Sequence, residues 1–198
     1  LASTLRLLAP HNAGLPNVNS AAKLLGIRRE TVENNLSALE RLFLIRRLHA
    51  WHPNDARRLV KAPKIHLVDS GLAATLGGLS TDDWTQSRDR FGHLLESFVL
   101  QQLMAQADWT DPELSFWHYR DKDQVEVDVV ITRGRQIWGL EIKAGATVAP
   151  HDGRGLRRLA DLAGTGYQGG VILHAGTSTL PTADPRVLAV PISKLWTS

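Results

Sequence analysis

The chain has 198 residues, a net charge of +3 and no cysteine. Its length fits one or two domains, and the lack of cysteine excludes a disulfide framework and a thiolate metal site. No apolar run approaches the roughly 18 residues of a membrane span, so we expect a globular cytoplasmic protein with no membrane partner.

The charge is divided unevenly along the sequence. Residues 1–78 contain 11 lysines and arginines against 5 acidic residues, a charge of +6, whereas residues 79–198 contain 12 against 15, a charge of −3. A basic region is typical of a protein that binds an anionic partner, although scattered surface charge would give the same numbers. Since the polar stretch GLSTDDWTQSRDR lies at the change, we predict two domains, 1–78 and 79–198.

Residues 20–42 have the pattern of helix, tight turn and helix. Ser20 is suited to begin the first helix and Gly26 to end it, and the apolar residues of 29–42 recur at helical spacing. The second helix of a helix-turn-helix is the one that enters the major groove of DNA. The candidate DNA contacts on its polar side and in the preceding turn are Arg28, Arg29, Thr31, Asn34 and Asn35.

Two β-rich runs follow, separated by a loop with Pro53, Asn54 and Asp55, and they predict a hairpin. A hairpin directly after a recognition helix is a wing, so the first domain is predicted to be a winged helix. Its candidate phosphate contacts are Arg46, Arg47, Arg57, Arg58, Lys61 and Lys64. Winged helices also bind proteins, and the sequence leaves DNA contact, protein contact and scaffolding open.

The second domain is predicted to begin with the helix FGHLLESFVLQQLMAQ, which has a broad apolar side. Glu96 lies in the middle of it, beside Leu95 and close to Phe98. A carboxylate so near an apolar stripe is either a boundary residue or a buried ligand.

The segments VEVDVVIT and IWGLEIKAG predict two strands joined by a short turn. In the first, Glu126 and Asp128 share one face. The other face carries Val125, Val127, Val129 and Ile131. In the second, Glu141 and Lys143 share a face.

The turn between these strands predicts their register. Gly134 as the first residue of a two-residue turn suits a type II′ turn, which pairs Arg133 with Gln136. Asp128 then lies opposite Glu141.

Two carboxylates directly opposite each other repel unless a cation lies between them. The ligands would be oxygens, which fits Mg²⁺. Lys143, two residues beyond Glu141 on the same face, is then close enough to orient a water molecule or stabilise a phosphate.

The set of Glu96 on a helix, Asp128 in one strand and Glu141-Ile142-Lys143 in the next resembles the PD-(D/E)xK nuclease superfamily. The resemblance implies a restriction-endonuclease-like α/β core, a mixed β-sheet flanked by helices. It also implies that Glu96, Asp128 and Glu141 lie at the metal and that Lys143 is the catalytic lysine. The Pro-Asp of the superfamily is absent, because Val127 precedes Asp128.

A longer set of segments resembles a domain-of-unknown-function family found after the ATPase domain of bacterial AAA-type ATPases. These segments are HLLESFV, YRDKDQVEVDVVI, LEIKAGATV, GGVILHAG and AVPISKLW. That family has a winged helix before the domain, ending in the motif PKxxxxDxGL, here residues 63–72. The resemblance, with the start at Leu1, predicts a longer protein whose upstream ATPase domain is a partner.

The family resemblance does not fix activity. An active Mg²⁺-dependent nuclease acting on DNA, a vestigial site without turnover and a solvated sheet face all stay open. The alternative of another class is a non-catalytic regulatory or protein-interaction module. The sequence leaves the oligomeric state open, and an oligomer is allowed.

Overall fold

The computed structural model describes residues 1–54, 61–86 and 88–197, and the chain divides into two compact units. Unit 1 comprises Leu1–Leu48 and Ala62–Phe98, and unit 2 comprises His49–Lys61 and Val99–Ser198. This division differs from the boundary expected at residue 78, because the start of the long helix after it packs with unit 1. None of the described helices is long and apolar enough to cross a membrane.

Unit 1 begins with a group of helices. They are α1 (Ala2–Leu8) with a 3-10 turn (Ala9–His11), α2 (Val18–Leu25) and α3 (Arg29–Arg41). The predicted helix, turn and helix are confirmed, and α2 ends at Gly26 in the left-handed conformation. The predicted cap was wrong: Asn17 is the N-cap, and its side chain accepts the N–H of Ser20.

A two-stranded antiparallel sheet follows, formed by β1 (Ile45–Leu48) and β2 (Lys64–Leu67). The later helices are α4 (Ser70–Leu76), α5 (Thr81–Gln86), a 3-10 turn (Arg88–Phe91) and α6 (Gly92–Thr110). Asp69 caps α4 by accepting the N–H of Leu72. This capping bond gives the aspartate of the PKxxxxDxGL motif a structural role.

The core of unit 1 is one apolar cluster drawn from these helices and both strands. On α3 the buried positions are Val32, Leu36 and Leu39, which is the apolar stripe that the sequence predicts. Ile45, Ile65 and Leu67 extend the cluster from the two strands.

Unit 2 contains a six-stranded sheet in the order β3-β4-β5-β6-β8-β7. The strands are β3 (Ser115–Arg120), β4 (Glu126–Arg133), β5 (Gln136–Lys143), β6 (Tyr167–His174), β7 (Leu180–Pro181) and β8 (Val187–Pro191). Strands β5, β6 and β8 run parallel, and the other neighbours are antiparallel. The predicted α/β class with a mixed sheet is therefore confirmed.

The helix α7 (Arg154–Ala163) packs on one face of this sheet. Its Leu156 and Leu159 are fully buried in the core. The approach is close at Gly139 of β5, where an added Cβ would lie 2.6 Å from Leu156 Cδ2. A larger residue there would push the helix away from the sheet.

The predicted β4–β5 turn is confirmed, and so is the register as far as Val129 opposite Leu140, but the expected pair of Asp128 with Glu141 is not part of the ladder. Arg133 pairs with Gln136, and the ladder continues to Val129 opposite Leu140. Gly134 has φ 57°, whereas the next residue is not among those with positive φ, as a type II′ turn requires.

The strict alternation predicted for β4 is wrong at one point. The register between β3 and β4 shifts between Trp117 and Tyr119, which is a β-bulge in β4. Val127 and Val130 consequently belong to the same hydrophobic cluster, although alternation would place them on opposite faces. Asp128 lies inside the bulge, a feature that can re-aim a side chain.

Candidate functional site

Asp128 is held against strand β5 by its own side chain. Its Oδ2 accepts the backbone N–H of Ile142 at 2.9 Å, just beyond the last ladder pair, Val129 with Leu140. The bulge thus replaces a backbone acceptor by a carboxylate at this point. Asp128 is fixed beside the strand that carries Glu141 and Lys143.

Glu141 lies between a second carboxyl group and a lysine. It is 5% exposed, its carboxyl group hydrogen-bonds that of Asp128, and its Oε2 lies 3.4 Å from Lys143 Nζ. The structure therefore brings together three of the four residues that the sequence predicts for the site. A second carboxylate at such close range disfavours the charged form of Glu141.

The electrostatics follow from this crowding. Burial and the charge of Asp128 raise the pKa of Glu141 well above its usual range, and Lys143 offsets only part of this effect. For Lys143, burial acts to lower the pKa, but the charges of Glu141, Asp128 and Asp152 outweigh it, and the pKa is raised. Lys143 is thus a permanent positive charge beside two carboxyl groups.

The start of helix α7 lies directly against Glu141 on one face of the sheet. A Cβ on Gly155 would overlap the carbonyl oxygen of Glu126 and lie 2.5 Å from Glu141 Oε1. Only glycine therefore lets the positive end of this helix approach the Glu141 carboxyl group. Sequence reasoning missed Gly155; the available signal was a glycine within an otherwise amphipathic helix.

The donor set fits a hard divalent cation. Asp128 and Glu141 offer carboxylate oxygens from neighbouring strands, and Mg²⁺ is commonly held by one or two carboxylates with several waters and substrate phosphates. Over the described ranges, no group of three or more His, Cys, Asp or Glu side chains could hold a metal ion.

Glu96 belongs to unit 1 and is bound differently. Its Oε1 lies 2.7 Å from Lys64 Nζ, and both side chains are buried. The prediction that Lys64 contacts phosphate is wrong, because its ammonium group is buried in this ion pair. Glu96 as a metal ligand stays a prediction.

A second buried contact lies beside that ion pair. His66 Nδ1 and Ser97 Oγ are 2.8 Å apart, and both residues are buried. Together with Lys64 and Glu96, they form a polar network between β2 and α6. The sequence motifs contain these residues, but spacing alone did not predict the pairing.

The candidate nucleic-acid contacts of α3 fall into two groups. Arg28, Arg29, Thr31 and Asn34 are exposed. Asn35 is instead half-buried and donates to Thr4 Oγ1 at 2.9 Å, which fastens α3 to α1.

Of the four described residues among the predicted wing contacts, three are engaged within the protein, including Lys64 with Glu96. Arg47 pairs with Glu40 at 3.3 Å, and Arg46 is half-buried. In unit 2, Lys61 donates to the carbonyl oxygen of Arg120 at 2.8 Å. Arg57 and Arg58 lie outside the described residues.

Comparison with known proteins gives two family matches and two similar bacterial proteins. Residues 1–83 match a domain of unknown function, DUF8612. Uncharacterised proteins of Mycobacterium bovis and Mycobacterium tuberculosis are each 28% identical over 198 residues, which covers 97% of this chain and 42% of each relative. The chain thus spans less than half the length of these relatives. Residues 91–195, just over half of the chain, match another domain of unknown function, and the chain therefore belongs to that family, DUF4143.

Proposed function

We propose that unit 2 is a nuclease module that uses a divalent metal ion to cleave phosphodiester bonds, with a restriction-endonuclease-like fold. The observation that carries the proposal is the meeting of Asp128, Glu141 and Lys143 on adjoining strands. Their contacts are 2.9 Å from Asp128 to the Ile142 N–H and 3.4 Å from Lys143 to Glu141. Two carboxylates and a lysine suit metal-assisted attack on a phosphate.

Each residue has a distinct part in this chemistry. Asp128 and Glu141 would hold Mg²⁺, which when bound lowers the pKa of a water molecule and neutralises charge on the phosphate. Lys143, which is 34% exposed at its side chain, reaches solvent and can stabilise the negative charge that develops on a phosphate oxygen. The Ile142 N–H keeps the Asp128 carboxylate oriented beside the strand that carries Glu141.

We further propose that unit 1 is a winged helix that contacts DNA and lies after an ATPase domain in the longer protein. Support comes from the exposed Arg28, Arg29, Thr31 and Asn34 at the start of α3. DNA binding through these residues should weaken steeply with salt. Gel shifts at low salt in which Arg28→Ala/Arg29→Ala binds duplex DNA as well as the wild type would rule out this contact.

A second candidate, a non-catalytic interaction module, is favoured by one specific observation. Lys64 and Arg47 of unit 1 are engaged in ion pairs within the protein, and Lys61 of unit 2 donates to a backbone carbonyl. Fewer cations are therefore available for phosphate than the sequence count indicates. This candidate keeps both folds but assigns no turnover to Asp128, Glu141 and Lys143.

Melting in Mg²⁺ and Mn²⁺, with a cleavage assay on DNA and RNA, separates the two candidates. An ion that binds only the folded protein stabilises it by about 2.7 kcal/mol at a hundred times its Kd. Each kcal/mol raises Tm by about 2–4 °C in a protein of this size. Asp128→Asn should abolish the rise, whereas Lys143→Met should keep the rise and lose cleavage.

Asp108→Asn, at an exposed position of α6, is the matched control and should behave as the wild type. A wild-type protein whose melting ignores millimolar Mg²⁺ and Mn²⁺, and which leaves DNA and RNA intact, would exclude the nuclease and favour the interaction module.

A further inference from the structure

The two faces of the unit 2 sheet are covered differently. Helix α7 covers one face, where Leu156 and Leu159 are fully buried. The opposite face carries an open groove of about 610 Å³ over strands β4, β5, β6 and β8. Its floor is apolar and includes Ile131, Trp138, Leu140, Val171, Leu188 and Val190.

This exposure is unusual for the part of the sheet in which it occurs. Strands β5, β6 and β8 are parallel, and parallel strands are normally covered on both faces, most often by helices. Yet Leu188 of β8 is 49% exposed, and Trp138 and Val171 are only half-buried. Leu140 is buried, at 7% exposed, so the open part of the floor is the apolar surface around Leu188, Val171 and Trp138.

The dimensions of the groove fit one helix. Four neighbouring strands about 4.8 Å apart span about 14 Å, and a helix with its side chains is about 10–12 Å wide. One wall is a 3-10 helix (Ile192–Trp196). It is tied to α6 by a bond from Gln106 Nε2 to the Leu195 carbonyl oxygen, at 3.0 Å.

The charge of the groove selects among helices. Of the described residues that line it, none is acidic, and the cations are Arg186 and Lys194. Arg186 is paired with Asp184 at 2.8 Å, so the exposed Lys194 supplies the net positive charge. A second copy packed face to face would bring like charges together, which disfavours self-association through this face.

We propose that this groove is a docking site for an amphipathic helix of a partner, with acidic residues beside its apolar stripe. The stripe packs on Leu188, Trp138 and Val171, and an acidic flank pairs with Lys194. This is the helix-in-groove mode of recognition. The proposal is independent of the metal site, because the groove lies on the face of the sheet opposite α7.

The test uses two synthetic 18-residue helical peptides with the same leucine stripe, flanked by glutamates in one and by lysines in the other. Fluorescence anisotropy should show the wild-type chain binding the acidic peptide about threefold more tightly, as expected for one exposed ion pair. Leu188→Asp should abolish binding, and Lys194→Glu should reverse the preference between the peptides. Leu162→Asp, at a leucine of α7 that is 44% exposed and does not line the groove, is the matched control.

Three outcomes would overturn the proposal. They are equal affinity for both peptides, no binding of either, and binding that survives Leu188→Asp. Sedimentation of the chain alone adds a fourth, since dimers that Leu188→Asp dissociates would make a second copy the occupant. Melting of each variant checks folding, and the exposure of Leu188 makes a folded Leu188→Asp protein the expected result.

Discussion

Two glutamates of this chain are equally buried and have opposite surroundings. Glu96 in unit 1 and Glu141 in unit 2 are each 5% exposed. Glu96 faces one buried lysine, Lys64, at 2.7 Å. Glu141 faces the carboxyl group of Asp128 on one side and Lys143 at 3.4 Å on the other.

The difference shows that burial alone does not distinguish a carboxylate held in an ion pair from one proposed to bind a metal ion. The Glu96–Lys64 pair balances its own charge, and a buried balanced pair is sensitive mainly to the loss of one partner. Glu141 instead has a second carboxyl group close by, and burial and the charge of Asp128 raise its pKa. We therefore expect the Glu141 site to respond to pH and, under the proposed function, to a divalent cation.

The largest expected effect breaks the balanced pair. Lys64→Met leaves the Glu96 carboxylate buried without its ammonium partner, and we expect a loss of about 3–5 kcal/mol in the free energy of unfolding. The double variant Lys64→Met/Glu96→Leu should recover most of that loss, because neither charge is then buried. Urea unfolding of the wild type and the variants gives these values.

Lys143→Met is the counterpart in unit 2 and should cost much less, since Lys143 is partly exposed. Equal losses for Lys64→Met and Lys143→Met would remove the distinction drawn between the two glutamates.

A smaller effect is expected where helix α7 meets Glu141. Gly155→Ala adds a Cβ that overlaps the Glu126 carbonyl oxygen and crowds Glu141 Oε1, and overpacking of this kind costs about 1–3 kcal/mol. It should also weaken the melting response to Mg²⁺, because Glu141 must move. Gly145→Ala, whose Cβ would meet its nearest neighbour at an ordinary 3.6 Å, is the control and should leave both quantities near those of the wild type.

The local parts of the site follow from the sequence because they depend on neighbours in the chain. Gly134 predicts the turn, and the turn predicts the β4–β5 register as far as Val129 opposite Leu140, which places Asp128 next to the strand that carries Glu141. The apolar stripe of α3 and the left-handed end of α2 at Gly26 are predictable for the same reason. To predict each of these features, residue propensities and the periodicity of apolar residues are enough.

The parts that the sequence does not predict depend on contacts between distant segments. In the sequence, Lys64 is one of several basic residues predicted for a wing. In the structure, β2 packs against α6, and Lys64 is buried in an ion pair with Glu96. The bulge in β4 depends on the partner strand β3. The need for glycine at 155 depends on how closely α7 approaches the sheet. That distance cannot be predicted from the residue pattern of the helix itself.

The smallest expected effect has the opposite sign and concerns Glu141 itself. Glu141→Gln removes one of two adjacent carboxyl groups and keeps a side chain that can donate to Asp128. Because the pKa of Glu141 is raised in the folded protein, the folded state retains a proton that the unfolded chain has lost. The wild type therefore loses stability as pH rises from the usual pKa of a glutamate towards the raised value.

The Glu141→Gln variant lacks this loss of stability, so in the presence of a chelator it should be the more stable protein at neutral pH, by up to about 1 kcal/mol. The two should be equal below pH 4. Saturating Mg²⁺ should reverse the order, since a neutral amide is a poorer ligand than a carboxylate for this ion. Urea unfolding across pH, with and without Mg²⁺, measures both effects, and a variant that is less stable than the wild type in chelator would mean that Glu141 is as well neutralised as Glu96.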